Sequence, residues 1–121
     1  MPFEIRVTRS FSARHALRLP AGSLEPVHGH GWPVTVVCRA DVLDAADCVV
    51  DFHDVQRQLD AIFKPWQSRT LNDCEPFRSG VNPSAERVAE TIGRSLSFEP
   101  RVTLAAVEIG EADGCVAVWR P

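Results

Sequence analysis

Two histidines flank a glycine at His28-Gly29-His30, and a third, His15, closes an earlier alternating stretch. In an extended chain, side chains alternate between faces, so His28 and His30 project from one side and Gly29 leaves room between the rings. Two imidazoles side by side can grip one divalent ion. Val34, Val36 and Cys38 share the parity of this pair and continue it as a strand. In the earlier stretch Phe3, Ile5, Val7, Phe11, Ala13 and His15 have odd numbers, alternating early on with polar Glu4, Arg6 and Thr8. That alternation marks a half-buried strand. If the two stretches pair, three neutral imidazoles meet and leave a fourth coordination position open, the pattern of catalytic zinc. The plain alternative is a set of ordinary strand histidines near a surface. Three of the chain's four histidines at such positions favour a site.

The elements that must position these groups follow along the chain. Residues 18–27 carry Pro20, Gly22 and Pro26 and read as a loop delivering the chain to His28. Pro33 cannot donate a ladder hydrogen bond and is expected at an edge or at an irregular strand beginning. Val34 to Ala40 reads as the second strand, and residues 41–47 as a polar turn region. Asp51 reads as a helix N-cap, with Asp54 adding negative charge to the first turn. Phe52, Val55, Leu59, Ile62 and Phe63 follow at helical spacing, and Lys64-Pro65 ends the helix. His53 falls off that stripe and reads as solvated. Residues 66–82 show no periodicity and read as a long loop. Asn82-Pro83 reads as a second helix start with proline at the first position, and Ala85, Val88, Ala89, Ile92 and Leu96 form its apolar face. Val102 to Ile109 and Cys115 to Trp119 read as strands joined through Gly110 to Gly114. The order β-β-α-α-β-β implies an α+β fold, a four-stranded antiparallel sheet with both helices on one face. Such a sheet has two open edges, and the last strand carries no lysine guard, so assembly through strand edges is expected.

The composition narrows the function classes. The chain has 121 residues, enough for one domain with one core. A net charge of −3 with no basic run argues against a nucleic-acid surface. No apolar stretch reaches the length of a membrane span, and Met1-Pro2-Phe3-Glu4 leads into a strand pattern rather than a signal peptide, so the expected compartment is the cytosol. The four cysteines, Cys38, Cys48, Cys74 and Cys115, show no CxxC spacing. Cys38 and Cys115, inside apolar strand patterns, read as small buried residues.

Phe11-Ser12-Ala13-Arg14-His15, His28-Gly29-His30-Gly31-Trp32-Pro33-Val34, Val50-Asp51-Phe52, Leu71-Asn72, Asn82-Pro83-Ser84-Ala85-Glu86 and Val107-Glu108-Ile109-Gly110-Glu111 appear in that order. The chain resembles the 6-pyruvoyltetrahydropterin synthase family, which includes the 6-carboxytetrahydropterin synthases, over nearly its whole length. The resemblance implies the tunnelling fold, whose subunit sheets join edge to edge into a barrel, here expected as a homohexamer. It implies zinc on His15, His28 and His30, and a pterin-type substrate. By position Glu111 is the family's anchor for the 2-amino-pyrimidinone edge, and Ser84 is a further substrate-binding residue. A pterin presents an N–H and an NH2 side by side, the donor pair that one carboxylate accepts in a bidentate manner.

Departures from the family pattern bear on the reaction. The family's proton-abstracting cysteine corresponds to Leu24, and its Asp-His pair to Gln67 and Ser68. None of these titrates near neutral pH, so the synthase reaction itself is doubtful. Glu25 stands where a subgroup that cleaves the dihydroneopterin side chain carries a glutamate, and is the candidate catalytic base. Two readings follow. One is a zinc-dependent lyase acting on a dihydroneopterin-type substrate through Glu25. The other is a catalytically silent module that holds a pterin or purine-like ligand or serves as an oligomeric scaffold.

Overall fold

The computed structural model describes residues 1–121. Strands β1 (Phe3–His15) and β2 (His28–Ala40) form a long antiparallel pair. They are followed by helix α1 (Phe52–Phe63), a two-residue strand β3 (Arg69–Thr70), helix α2 (Ala85–Ser95), and strands β4 (Thr103–Ala112) and β5 (Cys115–Trp119). The sheet order is β3-β1-β2-β4-β5. The four long strands are antiparallel neighbours, as the sequence implies, while β3 adds a fifth strand, parallel to β1 at Ala13 and Arg14.

The register of β1 on β2 explains the parity pattern. Val7 faces Val36, Phe11 faces Trp32, Ala13 faces His30 and His15 faces His28, so odd positions of one strand meet even positions of the other. These side chains all turn toward the helices. The core holds Val7, Phe11, Trp32, Val34 and Val36 from the sheet, with Val55, Leu59 and Phe63 from α1 and Val88, Ala89 and Ile92 from α2. Slipping the pair by one residue would carry every one of these groups, and the histidines, to the opposite face. That other face is polar. Glu4 accepts from Arg39 at 2.8 Å, Arg6 makes a forked pair with Glu108 at 3.0 and 3.1 Å, and Thr8 bonds Thr35 at 2.8 Å.

Asp51 caps α1, its side chain accepting from the His53 amide at 2.9 Å, and His53 is exposed as expected. Phe52, placed on the apolar stripe by spacing, is 54% exposed at the first turn of α1, where it lines an open cavity with Phe3, Ile5 and Val50. The second helix begins later than Asn82-Pro83. Ser84 is its N-cap, accepting from the Arg87 amide at 3.1 Å, and Pro83 lies outside with its carbonyl free for another partner. Residues 66–82 contain the turn after α1 that buries Trp66, then β3 and two short 3-10 turns that bury Leu71 and Phe77. Each of these enters the core from a separate turn, so no period connects them. Pro33 is not at an edge but in a central strand, just past Val34, where the register with β4 ends. Cys38 is buried as expected, whereas Cys115 is exposed because β5 is the outermost strand.

Candidate functional site

The three histidines converge at the end of the β1–β2 pair, where the ladder closes on His15 opposite His28. Each ring gives one nitrogen to the backbone. His15 Nδ1 lies 2.8 Å from the Pro83 carbonyl, His30 Nδ1 2.8 Å from the Gly31 carbonyl and His28 Nδ1 3.2 Å from the Pro26 carbonyl. A carbonyl only accepts, so each Nδ1 carries the proton and each Nε2 is left with its lone pair. Those lone pairs face one another. His15 Nε2 is 3.0 Å from His28 Nε2, and His30 Nε2 is buried with no hydrogen-bond partner.

Trp32 fixes the rings from below. It is fully buried, its Nε1 donates to the Ala13 carbonyl at 3.2 Å, and its ring packs 4.7 Å from His15 and 4.3 Å from His30. His15 has no exposed surface, and this burial holds its pKa below the ordinary histidine value, partly countered by its bond to the Pro83 carbonyl. A neutral imidazole is the form that ligates metal.

Two asparagines hold the chain just past His15. Asn72 accepts from the Ala16 amide at 2.9 Å and donates to the Ala16 carbonyl at 2.8 Å. Asn82 repeats the pattern on Arg18 at 2.9 and 3.0 Å. Each amide acts as a one-residue strand partner, extending the ordering of β1 beyond its last ladder residue. The sequence placed Asn82 at a helix start rather than on Arg18, gave Asn72 and Trp32 no role, and carried no reading of the Pro83 carbonyl. The only sequence signal for that carbonyl is the Pro-Ser junction, where a cap at Ser84 leaves the preceding carbonyl outside the helix.

Glu111 also joins the cluster. It sits at the bulge in the β4–β5 ladder between Gly110 and Ala112, with Oε1 3.0 Å from His15 Nε2 and 3.9 Å from His30 Nε2. One ligand atom from each of His15, His28, His30 and Glu111 lies within 4.8 Å of the other three. A tetrahedron with bonds of about 2.1 Å has corners about 3.4 Å apart, so modest rotation brings these atoms onto one ion. Four acceptors with no donor among them, one of them buried and orphaned, fit a metal cation.

Glu25 lies nearby but on the outer side of His28, 3.9 Å from its Nδ1. Its Oε1 accepts from the Leu17 amide at 3.0 Å, which ties the carboxylate across the loop at residues 16–27. Leu24 is exposed. Gln67 and Ser68 lie against β1 at Ser12, and Ser68 lines a cavity together with Gly29, His30 and Gly31. The Ser12 amide donates to Gln67 Oε1 at 3.2 Å, and the Ser68 amide donates to the Ser12 carbonyl at 2.7 Å. Ser84 caps α2, one residue after the carbonyl that holds His15.

The family model for 6-pyruvoyl tetrahydropterin synthase matches residues 4–121. The chain belongs to this family. Solved structures agree on the fold. The Caenorhabditis elegans 6-pyruvoyl tetrahydropterin synthase superposes with a TM-score of 0.84 at 19% identity, covering 98% of this chain and 95% of that one. The Plasmodium vivax 6-pyruvoyl tetrahydropterin synthase gives 0.75 at 19% identity, covering 98% and 97%. A variant of the P. vivax protein, described as a catalytic residue mutant in which a glutamate is replaced by alanine, gives 0.73 at 17%, covering 98% and 97%. No curated protein sequence matches the chain. No helix is long and apolar enough to cross a membrane. Within the 6-pyruvoyl tetrahydropterin synthase family frame, the histidines that the sequence singled out are the ones the fold brings together.

Proposed function

We propose that this family member binds zinc through His15, His28 and His30 and holds a pterin-type substrate beside it. The observation that carries the reading is the set of three Nε2 lone pairs turned toward each other, with His30 Nε2 buried and unpartnered. Imidazole suits several first-row metals, and three histidines with one open position match the pattern of catalytic zinc. When bound, the ion lowers the pKa of a hydroxyl that reaches it. Glu111 supplies the carboxylate that accepts the pterin's N–H and NH2 pair. Ser84, whose oxygen accepts from the Arg87 amide, keeps its hydroxyl hydrogen to donate to the ligand.

Glu25 is the base in this reading. It takes a proton from a side-chain hydroxyl of the substrate, and its conjugate acid returns a proton to carbon as the side chain is cleaved. Its Oε2 makes no hydrogen bond within the chain, which leaves an oxygen free for that step. The glutamate described as a catalytic residue in the P. vivax protein supports a carboxylate in such a role. Pyruvoyl- or carboxy-forming turnover is not expected, because Leu24, Gln67 and Ser68 supply no titrating group. Gln67 is moreover already engaged by the Ser12 amide. That observation also favours a second reading, a pterin- or purine-binding module with no turnover.

The reading extends to a cytoplasmic homohexamer, supported by the outer edges of β5 and of most of β1, which have no strand partner within the chain. Sedimentation giving a stable monomer at micromolar concentration would sink the assembly. For the site, elemental analysis after zinc addition and desalting is expected to give one ion per chain, lost in His28→Ala, His30→Ala. Incubation with dihydroneopterin and with its triphosphate, analysed by mass, decides the reaction. Cleavage abolished by Glu25→Ala supports the lyase, binding without product supports the module, and robust synthase turnover overturns both.

A further inference from the structure

We propose that the cavity at the end of the β1–β2 pair remote from the histidines is a docking site for a basic, apolar peptide segment of another protein. The proposal is independent of what the histidines hold.

The β1–β2 ladder runs from His15 opposite His28 to Phe3 opposite Ala40. At about 3.3 Å per residue its two ends lie about 40 Å apart. At the Phe3 end a cavity of about 730 Å³ opens between β1, the segment after β2 and the start of α1. Phe3, Ile5, Leu43, Val49, Val50 and Phe52 stand in its walls. Phe3 and Ile5 share the parity of Val7 and Phe11, so they continue the core-facing row of β1 to a place where it is left open. Four of the nine large apolar residues that stay exposed, Met1, Phe3, Val42 and Phe52, gather at this end. A contiguous apolar patch on a folded chain marks an interaction surface.

The wall opposite β1 is held in place before any ligand arrives. Arg101 donates to the carbonyls of Val42 and Val49, both at 2.7 Å, and so ties the two ends of that segment together. Within it the Asp44 amide donates to the Cys48 carbonyl at 2.9 Å. Asp44 Oδ1 accepts from the amides of Ala46 and Cys48 at 2.8 and 3.0 Å. A cavity with ordered walls spares its occupant the entropy cost of forming it.

Charge selects the occupant. Asp41, Asp44, Asp47, Asp51 and Asp54 fall within residues 41–54, which hold no lysine or arginine, in a chain of net charge −3. Asp44, Asp47 and Asp51 line the cavity, and no basic side chain does. Asp44 and Asp51 each commit one oxygen to backbone amides and keep the other. The amides of Cys48 and Ala46 hold the Asp44 carboxyl below its ordinary value, so it stays charged. Such a rim repels anionic lipid and nucleic acid. A second copy docked about a twofold axis would set these aspartates against one another. The acidic stretch, with Met1 and Val42, extends past the cavity, so an extended segment covers the surface where a small cation would not. Its apolar side chains enter between Phe3 and Phe52, and its lysines or arginines meet the aspartates.

The test selects binders to the wild-type protein from a displayed library of random peptides. Recovered sequences are expected to join apolar residues to an excess of lysine and arginine. A synthetic copy of the tightest binder should block thiol labelling of Cys48, which lines the cavity, and leave exposed Cys115 at its unprotected rate. Phe52→Ser should weaken that peptide about tenfold or more. Asp47→Asn, an exchange suited to the φ of 60° at this position, should weaken it about threefold and flatten its salt dependence. Zinc binding should be unchanged in both variants. A library yielding no binder, binders without the basic and apolar bias, or binding that ignores both substitutions and leaves Cys48 reactive would overturn the proposal. So would a fall in assembly mass on Phe52→Ser in sedimentation, which would assign the groove to a second copy.

Discussion

Replacing Asn72 by alanine removes the one side chain that pairs with both backbone groups of Ala16, at 2.9 and 2.8 Å. Ala16 is 1% exposed, so water reaches neither its amide nor its carbonyl without rearrangement. Each stranded group costs about 1–3 kcal/mol, giving about 2–4 kcal/mol for the pair once some water enters the vacated space. At about 4 °C per kcal/mol for a domain of this size, the melting temperature should fall by about 8–16 °C. Asn82→Ala is the internal control. It deletes the same two bonds to Arg18, but at an exposed place where water can replace them, and should cost about 1 kcal/mol. The assay is urea unfolding in chelator at one fixed protein concentration, followed by the fluorescence of buried Trp32 and Trp66. Because Ala16 adjoins His15, Asn72→Ala should also weaken zinc binding about tenfold or more, as loss of an orienting partner does. If Asn72→Ala costs no more than Asn82→Ala, the paired asparagines do not order the strand end and the argument fails.

Three further outcomes are expected. Ser84→Ala should destabilise by about 1 kcal/mol through loss of the α2 cap and should weaken neopterin binding severalfold. Unchanged affinity in calorimetry would confine the hydroxyl to capping. A Cβ added at Gly93 would overlap the Trp119 ring, so Gly93→Ala should lose about 1–3 kcal/mol of packing despite a helix-propensity gain of about 1 kcal/mol. Adding Trp119→Leu should recover most of the loss, and a Gly93→Ala protein that melts higher than wild type refutes the overlap. Burial pushes the Cys38 thiol up to about 11, so at pH 8 a disulfide reagent should label exposed Cys48 in seconds and Cys38 only after unfolding. Native labelling of Cys38 at the Cys48 rate would contradict its burial.

The ladder from Phe3 to Ala40 was readable because period-two alternation and ligand chemistry point the same way. Odd positions ending at His15 and even positions beginning at His28 have one register that puts every apolar group and every imidazole on one face. The helices were readable from their stripes, but not the start of α2, since Pro83 suits N1 and N′ alike until the Ser84 hydroxyl is seen accepting from Arg87. Other parts of the site have no side-chain signature. The carbonyls of Pro26, Gly31 and Pro83 are chemically the same as any others and are chosen by tertiary placement alone. Glu111 reaches the histidines from a ladder irregularity that alternation cannot foresee, and Trp66 and Phe77 fill the core from turns without a period.

His15 and His28 stand opposite one another at the mouth of the loop formed by residues 16–27. The loop is closed on itself by the Arg18–Leu24 bridge and by the Glu25 amide donating to the Leu17 carbonyl at 3.0 Å. Beyond Ala16 and Arg18, which Asn72 and Asn82 tie to the scaffold, the segment leaves and re-enters at one point and behaves as a cassette. Doubling the length of such a closed loop costs only about 0.6 kcal/mol, far less than disturbing the ladder beneath it. In the proposed reading, the histidines that would bind the ion and the glutamate that would move the proton therefore sit on separately exchangeable parts of the chain. Grafting a loop with a thiol in place of Leu24 should change the chemistry attempted at the site while its metal affinity stays where the ladder sets it.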